Sequence, residues 1–334
     1  MNFRSVAQLS DQLVGWTKRL PSDIDVVVGI PRSGLLVANL LALYRNLPLA
    51  DLDGFLHGHC LAAGCTRSNP LSGDGSLGPH GYLSEPRKVL VVDDSVRSGK
   101  TIRKTQERIA AAGLAHSVMF GAVYVTAESA GKVDTYCEIV EPPRAFEWNI
   151  LNHHTLQTSC VDMDGVLCND PSPHENDDGQ SYLEFLRSAR PLLRPPYPIG
   201  YIVTNRLERY RPQTEAWLQR QRIKYGQLIM LDYPDGETRR LFGTYSAHKA
   251  RVYRNTRAEL FIESDVRQAM EIAVLSRKEV LCVDTMQLIS PGSLPIARPA
   301  WPLESRHKRS LGYRLAHRFS PQPLWNGLKR LRGI

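Results

Sequence analysis

No stretch of this 334-residue chain approaches the ~18 consecutive apolar residues of a membrane-crossing helix, so none is expected. Met1 to Gly15 does not join a charged segment to an apolar one, so a secretory leader is not expected either. Cysteine is scarce and scattered. The six residues, Cys60, Cys65, Cys137, Cys160, Cys168 and Cys282, form no CxxC pair. Cys60 and Cys65 share a glycine-rich segment, but no His/Cys cluster completes a zinc spacing. These absences argue against a zinc module or a disulfide scaffold and point to reduced thiols in a cytoplasm. The chain also lacks an internal repeat. Its basic charge is local: residues 304–334 hold eight Lys/Arg and one acid, and so carry +7 of the formal +8. The rest is near neutral, which argues against nucleic acid as a partner of the whole protein.

The length suits two domains, since single domains usually run about 100–200 residues. Apolar runs alternate with helical stretches in both halves. Asp25 to Ile30 reads as a buried strand ended by Pro31, and Gly34 to Arg45 as a helix. Lys88 to Val92 and Ser117 to Val125 read as strands around a helix from Lys100 to Ala112, which Gly113 ends. After Thr158 to Val161 come strands at Ile199–Val203, Gln227–Leu231, Leu260–Ile262 and Val280–Val283, with a helix from Pro212 to Arg222. This alternation predicts an α/β fold of two domains, each a mainly parallel sheet flanked by helices. We place the domains at 1–155 and 156–295, with a basic, aromatic-containing tail at 296–334. The Gly/Ser/Pro/His-rich segment from Asp53 to Glu85 reads as a lid, with a linker as the alternative.

Two segments carry chemistry. In the first, the apolar strand Val89 to Val92 leads into Asp93, Asp94, Ser95, Ser98, Gly99, Lys100 and Thr101. Acids at a strand's carboxyl end sit where open α/β sheets bind ligands, and can accept hydrogen bonds from ribose hydroxyls. The loop that follows offers backbone N–H groups and hydroxyls at a helix N-terminus, a favourable place for a phosphate. Upstream, Gly29-Ile-Pro-Arg32-Ser33-Gly34 follows the first strong strand. Together these segments resemble the type I phosphoribosyltransferases over roughly residues 20–150, with Ser98 where that family's loop usually has Thr. The resemblance implies phosphoribosyl diphosphate as donor, with Mg2+. Arg32, Ser33 and Gly34 would form the diphosphate loop, and Ser95, Ser98, Gly99, Lys100 and Thr101 the phosphate cradle. Asp93 and Asp94 would hold the ribose, and either one could polarise an acceptor hydroxyl.

The second segment is Cys160-Val-Asp162-Met-Asp164-Gly165-Val166. On extended chain, residues two apart point the same way, so both carboxylates can face one site. One can attack phosphorus and the other can move the leaving-group proton. Two anions beside a phosphate call for a cation, which implies Mg2+. With Thr204, Lys249 and Phe261-Ile-Glu263-Ser-Asp265 following in order, this half resembles the haloacid-dehalogenase-like phosphatases. The resemblance implies Asp162 as nucleophile and Asp164 as acid/base. It implies Thr204 and Asn205 at the phosphoryl oxygens, and Lys249 (or Arg251) as the cation. Asp162, Asp164, Glu263 and Asp265 would be the metal acids. About 40 residues separate Asp164 from Thr204, which implies a small cap and suits a phosphate on a large substrate.

A phosphatase beside a phosphoribosyltransferase makes sense if the 5-phosphate is unwanted. The combination resembles the ribofuranosyl-transferring systems of bacterial surface polysaccharides (O-antigen and capsule). It implies a glycan acceptor, lipid-linked at the inner membrane, for an otherwise cytoplasmic enzyme. In the tail, basic residues alternate with Leu, Tyr, Phe and Trp, which suits an anionic membrane surface; a docked or solvated tail is the alternative. Phe146 to Asn149 fits an acceptor site and boundary packing equally well. Two other functions stay open: a nucleotide-metabolism enzyme that makes and then dephosphorylates a nucleotide, and a non-enzymatic ligand-sensing regulator.

Overall fold

A computed structural model describes residues 1–61, 83, 85–176, 178–243 and 245–292. Most of the segment expected to be a lid, and the whole basic tail, lie outside the described residues, as does Cys65. The chain divides into two compact units between Leu156 and Gln157.

The first unit opens with β1 (Asn2–Arg4) and α1 (Val6–Thr17). Ser5 starts the helix through a reciprocal cap: its hydroxyl accepts from Gln8 N, and Gln8 Oε1 accepts from Ser5 N. Next come β2 (Val26–Gly29), α2 (Ser33–Arg45), β3 (Leu49–Asp51), α3 (Leu52–Leu56), β4 (Lys88–Val96) and α4 (Lys100–Ala111). β5 (Ser117–Val125), β6 (Thr135–Ile139) and β7 (Arg144–Phe146) complete it. The main sheet has the order β3-β2-β4-β5-β6, all parallel, and β1 pairs with β7 separately. Alternation along the strands sorts two cores. Val26, Val28, Val89 and Val91 pack with Phe55 of α3 and Ile102 of α4. Val27, Leu90 and Val92 pack with Leu9, Leu13 and Trp16 of α1 and with Val37 and Leu41 of α2. Burial on both faces explains the unbroken valine run of β2.

β4 runs four residues past Val92, because its ladder to β5 continues through Asp93↔Ala122, Ser95↔Tyr124 and Val96↔Val125. The two acids are therefore strand residues. Asp93 shares the parity of Val89 and Val91, and Asp94 that of Leu90 and Val92.

The second unit contains β8 (Ser159–Val161), α5 (Gln180–Ser188), β9 (Ile199–Leu207), α6 (Arg211–Arg220) and β10 (Tyr225–Leu231). α7 (Gly236–Phe242), α8 (Tyr245–Asn255), β11 (Leu260–Glu263), α9 (Val266–Ser276), β12 (Val280–Cys282) and β13 (Gln287–Ile289) follow. The sheet order is β10-β9-β8-β11-β12-β13, parallel except at β12 and β13. α8 and α9 cover one face through Ala250, Tyr253, Ala269, Ile272 and Ala273. Lys278 closes the end of α8: its ammonium donates to the carbonyls of Tyr253, Thr256 and Ala258 and lies over the Tyr253 ring.

In each sheet the strand order reverses once, between β2 and β4 and between β8 and β11. Helices leave these neighbouring strands in opposite directions, which opens a crevice at their carboxyl ends. Both chemistry-bearing segments sit at those ends. The fold is thus the expected α/β arrangement of parallel sheets flanked by helices.

Candidate functional sites

In the first unit, β2 delivers the loop Ile30 to Gly34 to the crevice, and the Pro31–Arg32 peptide is cis. Gly34 lies against β4 so closely that a Cβ there would come within 2.6 Å of the Val92 carbonyl oxygen and 3.3 Å of Asp93 Oδ1. Only glycine lets the diphosphate-loop candidate sit on the acid strand. Arg32 is exposed and Ser33 half-buried beside it. Past β4, Gly99 takes a left-handed conformation (φ 73°) and turns the chain into α4. The Ser98 hydroxyl accepts from Lys100 N. Ser98, Lys100 and Thr101 are exposed at the helix start, where free N–H groups favour an anion. Behind the loop, Ser129 donates to the Val96 carbonyl and Lys132 to the Ser98 carbonyl, which anchors the turn.

Asp93 and Asp94 are buried, at 9% and 5% exposure, which matters because two carboxyl groups cannot both ionise cheaply in so dry a place. Burial raises the Asp93 carboxyl well above the usual range, and the neighbouring Asp94 charge adds to it. Burial raises Asp94 as well, but hydrogen bonds from Trp148 and Asp93 oppose that. Trp148 Nε1 donates to Asp94 Oδ2 at 2.6 Å, and Asp94 N donates to Asp93 Oδ1 at 2.9 Å. Trp148 is a functional contact that sequence reasoning left undecided.

In the second unit, β8 ends at Val161, and Asp162 N still donates to the Ile262 carbonyl, which brings the acid to the end of β11. Lys249 of α8 is buried and donates to Asp162 Oδ2 and Glu263 Oε2, both at 2.7 Å, and to Gln268 Oε1 at 3.2 Å. Burial works against its charge, but the two carboxylates outweigh that and hold it protonated. Arg251, the alternative cation, is exposed on the same helix. Burial raises Asp162 well above the carboxylate range, the Glu263 charge adds to it, and Lys249 opposes it. Gly165 (φ 80°) closes the motif against Ser264, whose Oγ would stand 2.2 Å from an added Cβ.

Thr204 is fully buried on β9 and its hydroxyl accepts from Arg206 N. Asn205 Oδ1 is buried with no hydrogen-bond partner among the described residues. Arg206 is the residue sequence reasoning missed. It grips Asp164 with Nε at 3.2 and 3.1 Å and Nη2 at 2.5 Å, contacts Cys168 Sγ and lies over the Phe185 ring. A signal existed: Arg206 is two residues after Thr204 on one strand, so it faces the same way. Burial disfavours its charge, yet Asp164 holds it firmly ionised. Arg239 of α7, also buried, donates to the Asn205 carbonyl.

The four-acid metal set is not assembled in this arrangement. Asp162 and Glu263 share an ammonium, and Asp164 is paired with a guanidinium. Glu263 Oε1 accepts from Ser264 N and Asp265 N, and Asp265 Oδ1 caps α9 by accepting from Gln268 N. Among the described residues no three His, Cys, Asp or Glu are grouped to hold a metal.

Replacing Arg206 with Met should leave Asp164 without its counter-ion. Breaking a buried ion pair costs about 3–5 kcal/mol, and the low end applies because Asp164 keeps 21% exposure. Urea unfolding of Arg206→Met should show that loss, and Asp164→Asn in the same chain should recover part of it. Equal losses in the single and double variants would contradict the pairing.

Residues 3–153 match the family described as the phosphoribosyl transferase domain. No curated protein matches the chain. Among solved structures, it is similar to a purine phosphoribosyltransferase from Pyrococcus horikoshii Ot3, at 20% identity over 44% of this chain and 92% of that one, with a TM-score of 0.32. It is similar to the Helicobacter pylori xanthine-guanine-hypoxanthine phosphoribosyltransferase at 13% identity, over 45% and 93% of the two chains, with a TM-score of 0.32. An orotate phosphoribosyltransferase from Aeropyrum pernix is similar at 20% identity, over 40% and 70%, with a TM-score of 0.28. Over residues 3–153, the chain carries a phosphoribosyl transferase domain.

Proposed function

We propose that the protein transfers 5-phosphoribosyl from phosphoribosyl diphosphate to a glycan hydroxyl and then hydrolyses the 5-phosphate, leaving ribofuranose in a surface polysaccharide. The observation that carries this reading is the pair of crevices, one holding a diacid beside a phosphate loop and the other two acids each held by a buried cation. In the first, Asp93 and Asp94 take the ribose hydroxyls, while Ser98, Lys100, Thr101 and the α4 N-terminus take the 5-phosphate. Arg32, Ser33 and the Gly34 backbone face the diphosphate as it leaves with the C1–O electron pair. Mg2+ accompanying the diphosphate would neutralise its oxygens. Preorganised charge of this kind lowers the barrier without rearrangement during the reaction.

In the second, which we read as haloacid-dehalogenase-like, Lys249 aims Asp162 at phosphorus. An Asp162 oxygen bonds to phosphorus as the sugar oxygen leaves; for this step Asp164 carries a proton taken from solvent, keeping its contact with Arg206, and hands that proton to the leaving oxygen. Water then attacks the aspartyl phosphate, giving its proton back to Asp164 and releasing phosphate. Arg206 orients Asp164, and Thr204 and Asn205 line the phosphoryl position. The basic tail is read as an attachment to an anionic membrane surface bearing a lipid-linked acceptor, on charge and aromatic content alone.

Asp93→Ala with Asp94→Ala should abolish diphosphate release from phosphoribosyl diphosphate and Mg2+ while sparing hydrolysis of a small phosphate ester. Loss of both activities, with the fold intact by circular dichroism, would sink the division of labour. Deleting residues 304–334 should lower binding to anionic vesicles more than tenfold at low salt, as several basic contacts at about 1 kcal/mol each require. Unchanged vesicle binding would remove the membrane attachment.

A further inference from the structure

The diacid pair leaves a question of roles. Two carboxyl groups buried side by side both resist ionisation, and an ionised one is the better acceptor for a sugar hydroxyl. Parity along β4 puts Asp94 on the face of Leu90 and Val92, the face that packs Tyr124, Phe146 and Trp148. There the Trp148 indole donates to Asp94 Oδ2 at 2.6 Å. The indole is not free to turn away. Its ring stacks on Phe146 at 5.1 Å between centroids, and Phe146 stacks on Tyr124 at 5.1 Å. The Tyr124 hydroxyl is itself tied to Gln12 Oε1 at 2.6 Å. A three-ring ladder thus holds one N–H against one carboxylate. Among the described residues Asp93 has no comparable N–H side-chain donor; its Oδ1 accepts from the Asp94 backbone.

We propose that Trp148 is a positioning residue that selects Asp94 as the ionised, hydroxyl-accepting carboxylate of the pair, with Asp93 the neutral one. The inference rests on the ribose-binding reading of this crevice. An N–H donated to a carboxylate favours its ionised form; at Asp93 burial and the Asp94 charge favour the neutral form and outweigh the one backbone N–H it accepts. The other charged or titratable groups facing Asp94 are Arg144 of β7, whose charge favours the carboxylate, and the Tyr124 phenol of β5. Neither donates to it directly in the structure, so the indole is the group that distinguishes the two acids.

Trp148→Phe keeps a stacking ring and removes the N–H. The test is calorimetric titration of the full chain with phosphoribosyl diphosphate and Mg2+ across pH, comparing wild type with Trp148→Phe so that ionisation of the ligand cancels. Removing the donor raises the Asp94 pKa, so the acid limb of binding should move up by about one pH unit, with affinity on that limb falling about tenfold. A second measurement does not depend on the ligand. The Trp148 indole N–H resonance, one of five in the chain, should titrate with pH in wild type and lose that titration in Asp94→Asn. Binding with an unmoved acid limb, or an indole resonance indifferent to Asp94→Asn, would overturn the selection while leaving the ribose site standing. No binding of phosphoribosyl diphosphate by wild type at any pH would overturn the ribose reading, and the inference with it.

Discussion

Parallel strands cannot be joined by tight turns, and that constraint organises this protein. Each strand must be recrossed through a helix, so every strand carboxyl end in a parallel sheet emerges at the same edge. Where the strand order reverses, the helices diverge and the edge opens. In the first unit this happens between β2 and β4, in the second between β8 and β11. The residues that carry chemistry are those the chain must place there: the loop after β2, the acids that end β4, the two acids after β8 and the acid that ends β11.

Crowding carboxylates into such a crevice is costly, and the two units meet the cost differently. In the first, among the described residues no cation is hydrogen-bonded to the pair; burial raises both carboxyls, and an indole donor opposes this at Asp94. That leaves them as neutral-leaning acceptors suited to sugar hydroxyls. In the second, buried cations hold the acids: Lys249 is shared by Asp162 and Glu263, and Arg206 pairs with Asp164. Paired in this way, the acids are held in defined orientations, as the proposed nucleophile and proton carrier would require. The difference in counter-charge is the physical basis for assigning different chemistry to two crevices of similar design.

Much of this was legible in the sequence. The valine-rich runs of β2 and β4 announce strands buried on both faces, and Ser117–Val125 is a strand with the expected ends. The apolar run alone marks a strand that ends at Val92 with the two acids at its carboxyl edge; pairing with Ala122, Tyr124 and Val125 carries β4 on to Val96. Arg206 was hidden by its type, since an arginine on a strand reads as a solvent-facing charge until its partner is known. The indole contact of Trp148 was hidden by distance: 54 residues separate it from Asp94, and only the stacking of Phe146 on Tyr124 brings the two together. The short strands β3, β6 and β13 carry too few residues to stand out from their surroundings.

In the proposed reaction, transfer and dephosphorylation are separate steps at separate sites of one chain. That separation is tested most directly by mass spectrometry of a panel of glycan acceptors incubated with phosphoribosyl diphosphate and Mg2+, comparing wild type with Asp162→Asn. An acceptor should gain a pentose with wild type and a pentose plus phosphate with the variant. An acceptor that gains the finished pentose with both proteins would contradict it, as would modification of nucleobases alone.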